Sequence, residues 1–126
     1  MRTIIVGGGK IGSNLIKTLG NKHKVTLVDL NKNVCNTIAD ISNDLVIWGD
    51  GTDLEILKDA GIGQVETIVA VTNKDENNFI ICQLAKLYSG IRTIAYINNP
   101  NNKEYFKKMG IDHIICSADA ITSLFS

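Results

Sequence analysis

Short runs of Ile, Val and Leu recur along the chain, separated by stretches in which apolar residues return every three or four positions. The runs predict six strands, over Arg2–Val6, Lys24–Asp29, Asp44–Trp48, Thr67–Val71, Thr93–Ile97 and His113–Cys116, several of them continuous apolar segments of the kind found where both faces of a strand are buried. The intervening periodicity predicts helices over about Lys10–Leu19, Lys32–Ile41, Asp53–Ala60, Lys74–Tyr88 and Pro100–Met109. Strands alternating with helices imply repeated βα units and a parallel sheet covered on both faces.

Local signals agree with these boundaries. Thr52 and Glu55 have capping-box spacing, Gly61 follows the third helix, Pro100 suits a first helical position, and Gly110 follows Met109 as a C-terminal cap does. Thr72 or Asn73 is expected to cap the fourth helix. With right-handed crossovers the simplest arrangement is a Rossmann-like doubly wound sheet of order 3-2-1-4-5-6 in three αβα layers, whose crevice lies at the carboxyl ends of strands one and four. The tail from Ser117 to Ser126 has a plausible N-cap at Ser117 and about two turns of apolar pattern. It reads as the beginning of a longer, truncated helix or as a segment that needs a partner surface, and the lack of a stop signal favours truncation.

A candidate ligand site follows from the first two strands. Gly7-Gly8-Gly9-Lys10-Ile11-Gly12 comes straight after an apolar strand, opens a helix, and is followed by Asp29 at the end of the next strand, which is the context that the dinucleotide fingerprint requires. Gly7 permits the tight turn, Gly9 lets backbone approach a pyrophosphate, and Gly12 lets the helix lie close on the strand. The helix N-terminus supplies free N–H donors and partial positive charge. Asp29 can accept from both hydroxyls of an adenosine ribose and repels a 2′-phosphate, and Leu30 and Asn31 after it supply no arginine for one. NAD(H), ATP, ADP or AMP are therefore preferred over NADP(H). The bland readings are a strand-end carboxylate or a helix cap at Asp29, and a solvated lysine at Lys10 rather than a point charge on phosphate.

Further candidates cluster at the same sheet edge. Asp50, in Gly49-Asp50-Gly51-Thr52, either accepts from an adenine amino group or organises its own turn. Ala70, Val71 and Thr72 follow the fourth strand and can flank a ligand with small backbone groups. Asn73, Asp75, Glu76 and Asn77 either reach the distal end of a ligand or a neighbouring subunit, or are ordinary first-turn residues.

Composition narrows the function classes. A chain of 126 residues suits one domain, and 13 basic against 13 acidic side chains give a formal charge of zero. No basic block suggests nucleic acid, no apolar stretch is long enough to span a bilayer, and no signal pattern opens the chain, so a soluble cytoplasmic protein is expected. Cys35, Cys82 and Cys116 are widely spaced, without zinc spacing, and read as buried thiols of a reducing compartment, with redox sensing at Cys116 the minor alternative. Catalysis is not expected. His23 and His113 fall at the edge opposite the crevice, Tyr88, Tyr96 and Tyr105 lack a lysine four residues on, and the loops at the crevice are short.

The glycine loop, Asp29, Gly49-Asp50-Gly51-Thr52-Asp53, Ala70-Val71-Thr72 and the helix from Asn77 to Lys86 together resemble the N-terminal nucleotide-binding domain, also called RCK or KTN, of TrkA-type potassium-uptake regulators. The likeness spans essentially the whole chain. It implies a cytoplasmic regulator binding NAD(H) or ATP/ADP, forming homodimers assembled into rings, and gating a membrane potassium channel or transporter at the inner face of the membrane through that partner. It also implies phosphate contacts at Gly7, Gly9, Lys10, Ile11 and Gly12, ribose at Asp29 beside Leu30, adenine near Asp50 and Gly51, and further contacts at Ala70, Val71 and Thr72. Lys10 stands where the family often has arginine, so its phosphate contact is not bidentate. Residues 1–116 correspond to the nucleotide-binding domain and 117–126 to the start of the crossover helix, with the smaller C-terminal ligand domain absent. The rival reading from another class is an NAD-binding fragment of a dehydrogenase whose catalytic domain is missing. A third is a stand-alone sensor of AMP or ATP.

Overall fold

A computed structural model describes residues 2–20, 22–41 and 45–125. Six parallel strands, β1 (Arg2–Val6), β2 (Lys24–Asp29), β3 (Leu45–Trp48), β4 (Thr67–Ala70), β5 (Arg92–Ile97) and β6 (His113–Cys116), form one sheet in the order β3-β2-β1-β4-β5-β6. This is the doubly wound order expected from right-handed crossovers. Asp44, expected to open the third strand, lies outside the described residues.

Alternation along β1 sends consecutive side chains to opposite faces. Ile4 and Val6 join Val28, Leu57, Ile62, Ile81 and Phe106 in one apolar layer, while Ile5 joins Leu27, Ile16 and Ile38 in the other. Ile4 and Ile5 are both fully buried. Helices α1 (Lys10–Leu19) and α2 (Lys32–Ile41) supply the second layer, and α3 (Leu54–Asp59), α4 (Asp75–Ala85) and α5 (Lys103–Lys108) supply the first.

The cover is unequal. On the α1/α2 face β4 is still buried, but the helices stop short of β5 and β6, leaving Ile94 half-buried, Ile115 exposed, and an apolar groove of about 560 Å³ bordered by Leu15, Leu19, Val69, Ile94 and Ile115. Continuous Ile/Val runs read as two-sided burial, yet one side of these two strands is open.

Helix ends show why several boundaries shift. Asp53, not Thr52, caps α3, its Oδ1 accepting from Glu55 N–H at 3.0 Å, because Asp50 holds both the Thr52 amide and hydroxyl. Gly61, at φ +87°, turns the chain into a short 3₁₀ segment over Ile62–Gln64. Pro100 opens a separate 3₁₀ turn, Pro100–Asn102, before α5 begins. Gly110, at φ +83°, ends α5, and Lys86 Nζ donates to the carbonyls of Met109 at 3.1 Å and Gly110 at 2.9 Å, satisfying acceptors that a helix end leaves free. A final helix, α6 (Ser117–Ser123), buries none of its residues. Ser117 starts it without capping it and instead shares a hydrogen bond with the Tyr96 hydroxyl at 2.8 Å.

Candidate functional site

The carboxyl ends of β1, β2, β4 and β5 open into a cleft of about 570 Å³, a size that suits a small-molecule ligand. Its floor is the turn from β1 into α1. Gly7 adopts φ +113°, and a Cβ there would press on the Val71 carbonyl 2.7 Å away. Gly12 is obligatory for a different reason from the one expected: its Cα faces the Gly7 carbonyl, so any side chain would collide with the turn itself rather than with the strand. At Gly9 a Cβ would meet nothing within 4 Å, so that position is open on the cleft side. The first-turn amides of α1 lack i−4 acceptors, and they concentrate partial positive charge at the cleft floor.

Asp29 closes β2 and ties the loop from the side. Its Oδ2 accepts from Gly8 N–H at 2.6 Å and its Oδ1 from Asn31 N–H at 2.7 Å. A carboxylate has about four acceptor positions, so two amides leave room for two ribose hydroxyls. Asn31 is the cap of α2, accepting from the amides of Asn33 at 2.9 Å and Val34 at 3.2 Å. Beneath it the buried Cys35 thiol donates toward the Asp29 carbonyl at 3.5 Å. Burial, reinforced by the Asp29 charge, pushes that thiol above its ordinary value, so it stays a neutral donor.

The β3 side of the cleft is the Asp50 turn. Asp50 Oδ1 accepts from the Thr52 amide at 2.9 Å and its hydroxyl at 2.7 Å. Gly51 is buried against Val6, with no space for a side chain. Next to it, Trp48 Nε1 donates to the Leu30 carbonyl at 2.8 Å, and Lys32 lies 5.2 Å over the indole ring.

The far side belongs to β4, α4 and β5, and here sequence reasoning missed Tyr96, Asn98 and the role of Asn78. Val71, Thr72, Asn77, Tyr96 and Asn98 line it. Neither Thr72 nor Asn73 caps α4; the residue before the helix is Lys74, without a capping side chain. The loop is held by Asn78, which is fully buried: its Oδ1 accepts from the Thr72 amide at 3.0 Å and hydroxyl at 2.6 Å, and its Nδ2 donates to the carbonyls of Thr72 at 3.1 Å and Tyr96 at 2.7 Å. Asp75 makes a second clasp, accepting from the amides of Asn98 and Asn99 and the side chains of Asn98 and Asn102. Burial works to raise its pKa, but those donors outweigh it and hold Asp75 below the ordinary carboxylate range.

Among the residues singled out from sequence, Gly7, Gly9, Lys10, Ile11, Asp29, Leu30, Asp50, Gly51, Val71 and Thr72 all line this one cleft, as do Asn73 and Asn77, whereas Asp75 and Glu76 are not among its lining residues. Gly12 and Ala70 do not. Gly12 is buried behind the turn, and Ala70, fully buried in the layer under α4, offers no surface to a ligand. Lys10 and Lys74 stand on the rim. His113 opens β6 and His23 precedes β2, at the opposite end of the strands.

This arrangement of turn, strand-end carboxylate and switch point has relatives. The pattern of the TrkA-N domain matches residues 3–117. The chain belongs to the TrkA-N family. It is 40% identical over 116 residues to the Trk system potassium uptake protein TrkA homolog of Methanothermobacter thermautotrophicus, covering 91% of this chain and 54% of that protein. The TrkA-N chain thus spans about half the length of such relatives. Among solved structures, the TrkA-N domain of the inner membrane protein ybaL from Escherichia coli superposes with TM-score 0.90 at 15% identity, over 98% of this chain and 93% of that one. The GsuK channel bound to NAD does so with TM-score 0.80 at 21% identity, over 90% of this chain and 21% of that one. These two likenesses establish the TrkA-N fold. Among the described residues, no helix is long and apolar enough to cross a membrane.

Proposed function

We propose that this chain is the nucleotide-binding regulatory part of a potassium transporter or channel and that it binds NAD(H) or ATP/ADP across the cleft. The observation that carries the reading is the meeting, in one cleft, of an α1 N-terminus with open space at Gly9 and the Asp29 carboxylate, tied to Gly8 with acceptor capacity left over. Phosphates sit at the α1 amides with Lys10 beside them, the ribose on Asp29 near Leu30, and the adenine against the Asp50–Gly51 turn. The TrkA homolog and the NAD-bound channel support the potassium and nucleotide parts of this reading.

The role is regulatory rather than catalytic. The histidines lie at the far strand ends, the Tyr96 hydroxyl is engaged with Ser117, and the carboxylates of Asp29 and Asp50 already accept from the Gly8, Asn31 and Thr52 donors, which supports binding over hydride chemistry. A ligand that contacts two assembly states unequally shifts their populations, and that shift is what a membrane-embedded partner reads. A homodimer belongs to the same proposal: the apolar groove and the exposed Ile121, Leu124 and Phe125 of the C-terminal segment are surfaces for a second copy to cover. The protein then works in the cytoplasm, held to the membrane only through its transporter.

Calorimetric titration with NAD, NADH, ATP, ADP, AMP and NADP tests the binding step. Saturable binding of adenosine nucleotides, with NADP weakest, is expected. Tightest binding of NADP, or binding of none, overturns the reading.

A further inference from the structure

We infer that Asn78 is a positioning residue that sets the far wall of the cleft and thereby the part of a ligand lying beyond the pyrophosphate. Asn78 has no exposed surface, and all four hydrogen-bonding positions of its amide are used. Three of its bonds go to a single residue. The amide, hydroxyl and carbonyl of Thr72 are all bound by this one side chain, at 2.6–3.1 Å. The fourth, to the Tyr96 carbonyl at 2.7 Å, fastens the same group to β5.

The consequence is geometric. Thr72 follows the end of β4 and Tyr96 lies near the end of β5, and both line the cleft. The β4–β5 ladder stops at the Ala70–Ala95 pair, so Thr72 lies beyond it, and this one amide fastens Thr72 to Tyr96, which is still within β5. A buried network satisfied at every position holds its members in one arrangement.

The Asp29 and Asp50 side of the cleft does not depend on Asn78. Its hydrogen bonds run to Gly8, Asn31 and Thr52. The inference rests on the proposed placement of adenosine on that side, which puts the second nucleoside of a dinucleotide on the β4/β5 side of the switch point. A mononucleotide such as AMP needs only the near side.

Asn78→Asp keeps the shape and the acceptor but replaces the Nδ2 donor by an oxygen facing two carbonyls. Thr72→Val replaces the hydroxyl by a methyl group, removing its bond to Asn78 and its weaker contacts to the Lys74 backbone, and is the second variant should the first not fold. Calorimetry with NAD and with AMP is run on wild type and both variants, together with hydrogen exchange at the Thr72 amide without ligand. In Asn78→Asp, NAD affinity is expected to fall about tenfold or more while AMP changes by less than about threefold, and the Thr72 amide exchanges faster. In Thr72→Val the same split is expected, smaller in size. Equal losses for NAD and AMP, or no loss for either, overturn the positioning role. Wild type that binds neither nucleotide overturns the functional reading instead, and an unchanged Thr72 exchange rate then overturns the positioning role separately.

Discussion

The backbone amide of Gly8 donates to Asp29 Oδ2 at 2.6 Å, joining the middle of the glycine turn to the end of the neighbouring strand. Asp29 therefore serves twice, as the candidate ribose acceptor and as a tether for the turn. Replacing it with Ala is expected to weaken adenosine nucleotides by about 1–3 kcal/mol and also to lower the melting temperature of the ligand-free protein. A variant that loses affinity with an unchanged melting temperature would refute the tether.

Gly9 and Gly12 differ in what a methyl group would meet. Gly12→Ala drives a Cβ into the Gly7 carbonyl and is expected to destabilise the fold by about 1–3 kcal/mol or more. Gly9→Ala meets nothing in the protein, so it should fold normally and lose nucleotide affinity alone. Thermal melts paired with titration separate the two, and the opposite pattern would remove the phosphate loop from this turn.

Asp112 gives the molecule an acid limit. The Thr93 amide, aided by the Thr93 hydroxyl and the charges of Lys86 and His113 and opposed by burial, holds Asp112 below the ordinary carboxylate value, and Asp75 is likewise lowered by its asparagine donors against burial. Each group binds a proton less readily folded than unfolded. The stability they contribute is present above the ordinary value of 3.8 and fades as pH falls through their lower folded values. Melting temperature against pH for Asp112→Asn and Asp75→Asn should show a shallower acid limb below about pH 4.

Cys82 is fully buried, and desolvation, with the Asp112 charge adding to it, pushes its thiol up to about 12. Cys35 is buried and raised as well, and Cys116 is 7% exposed. A disulfide-exchange reagent is expected to leave all three unmodified in the native protein and to modify all three in denaturant. Fast reaction of one thiol in native buffer would mark that residue as a redox-sensing candidate.

Ile115 is 55% exposed at the groove, so Ile115→Asp should cost the isolated chain little stability. If a second copy covers that face, the same change shifts the protein toward monomer in sedimentation analysis. An unchanged association state would exclude the groove as the dimer contact.

The strands were legible because Ile and Val runs are local, and Gly7, Asp29, Gly49 and Asn98 mark the ends of β1, β2, β3 and β5. β1, β2 and β6 match the periodicity residue for residue. The glycine turn was legible for a related reason: steric demands at Gly7 and Gly12 leave a spacing that sequence records. Helix ends were harder. Thr52 and Asp53 are both good caps, and only the hydrogen bonds of Asp50 decide between them. Ala70 read as a ligand neighbour because it is small, but α4 packs over it. Asn78 looks like any helix asparagine in sequence; its partners lie 6 and 18 residues away, at separations set by the crossover rather than by helix period.

Trp48 is the one tryptophan of the chain, bonded through its indole N–H to the carbonyl of Leu30 on the rim of the cleft and flanked by the Lys32 ammonium. A nucleotide settling against Leu30 as proposed would press on the residue whose carbonyl the indole binds. The molecule thus carries an intrinsic optical probe at the end proposed for adenosine, and a change in its emission on adding nucleotide, read without any dye, is the expected sign of occupancy there.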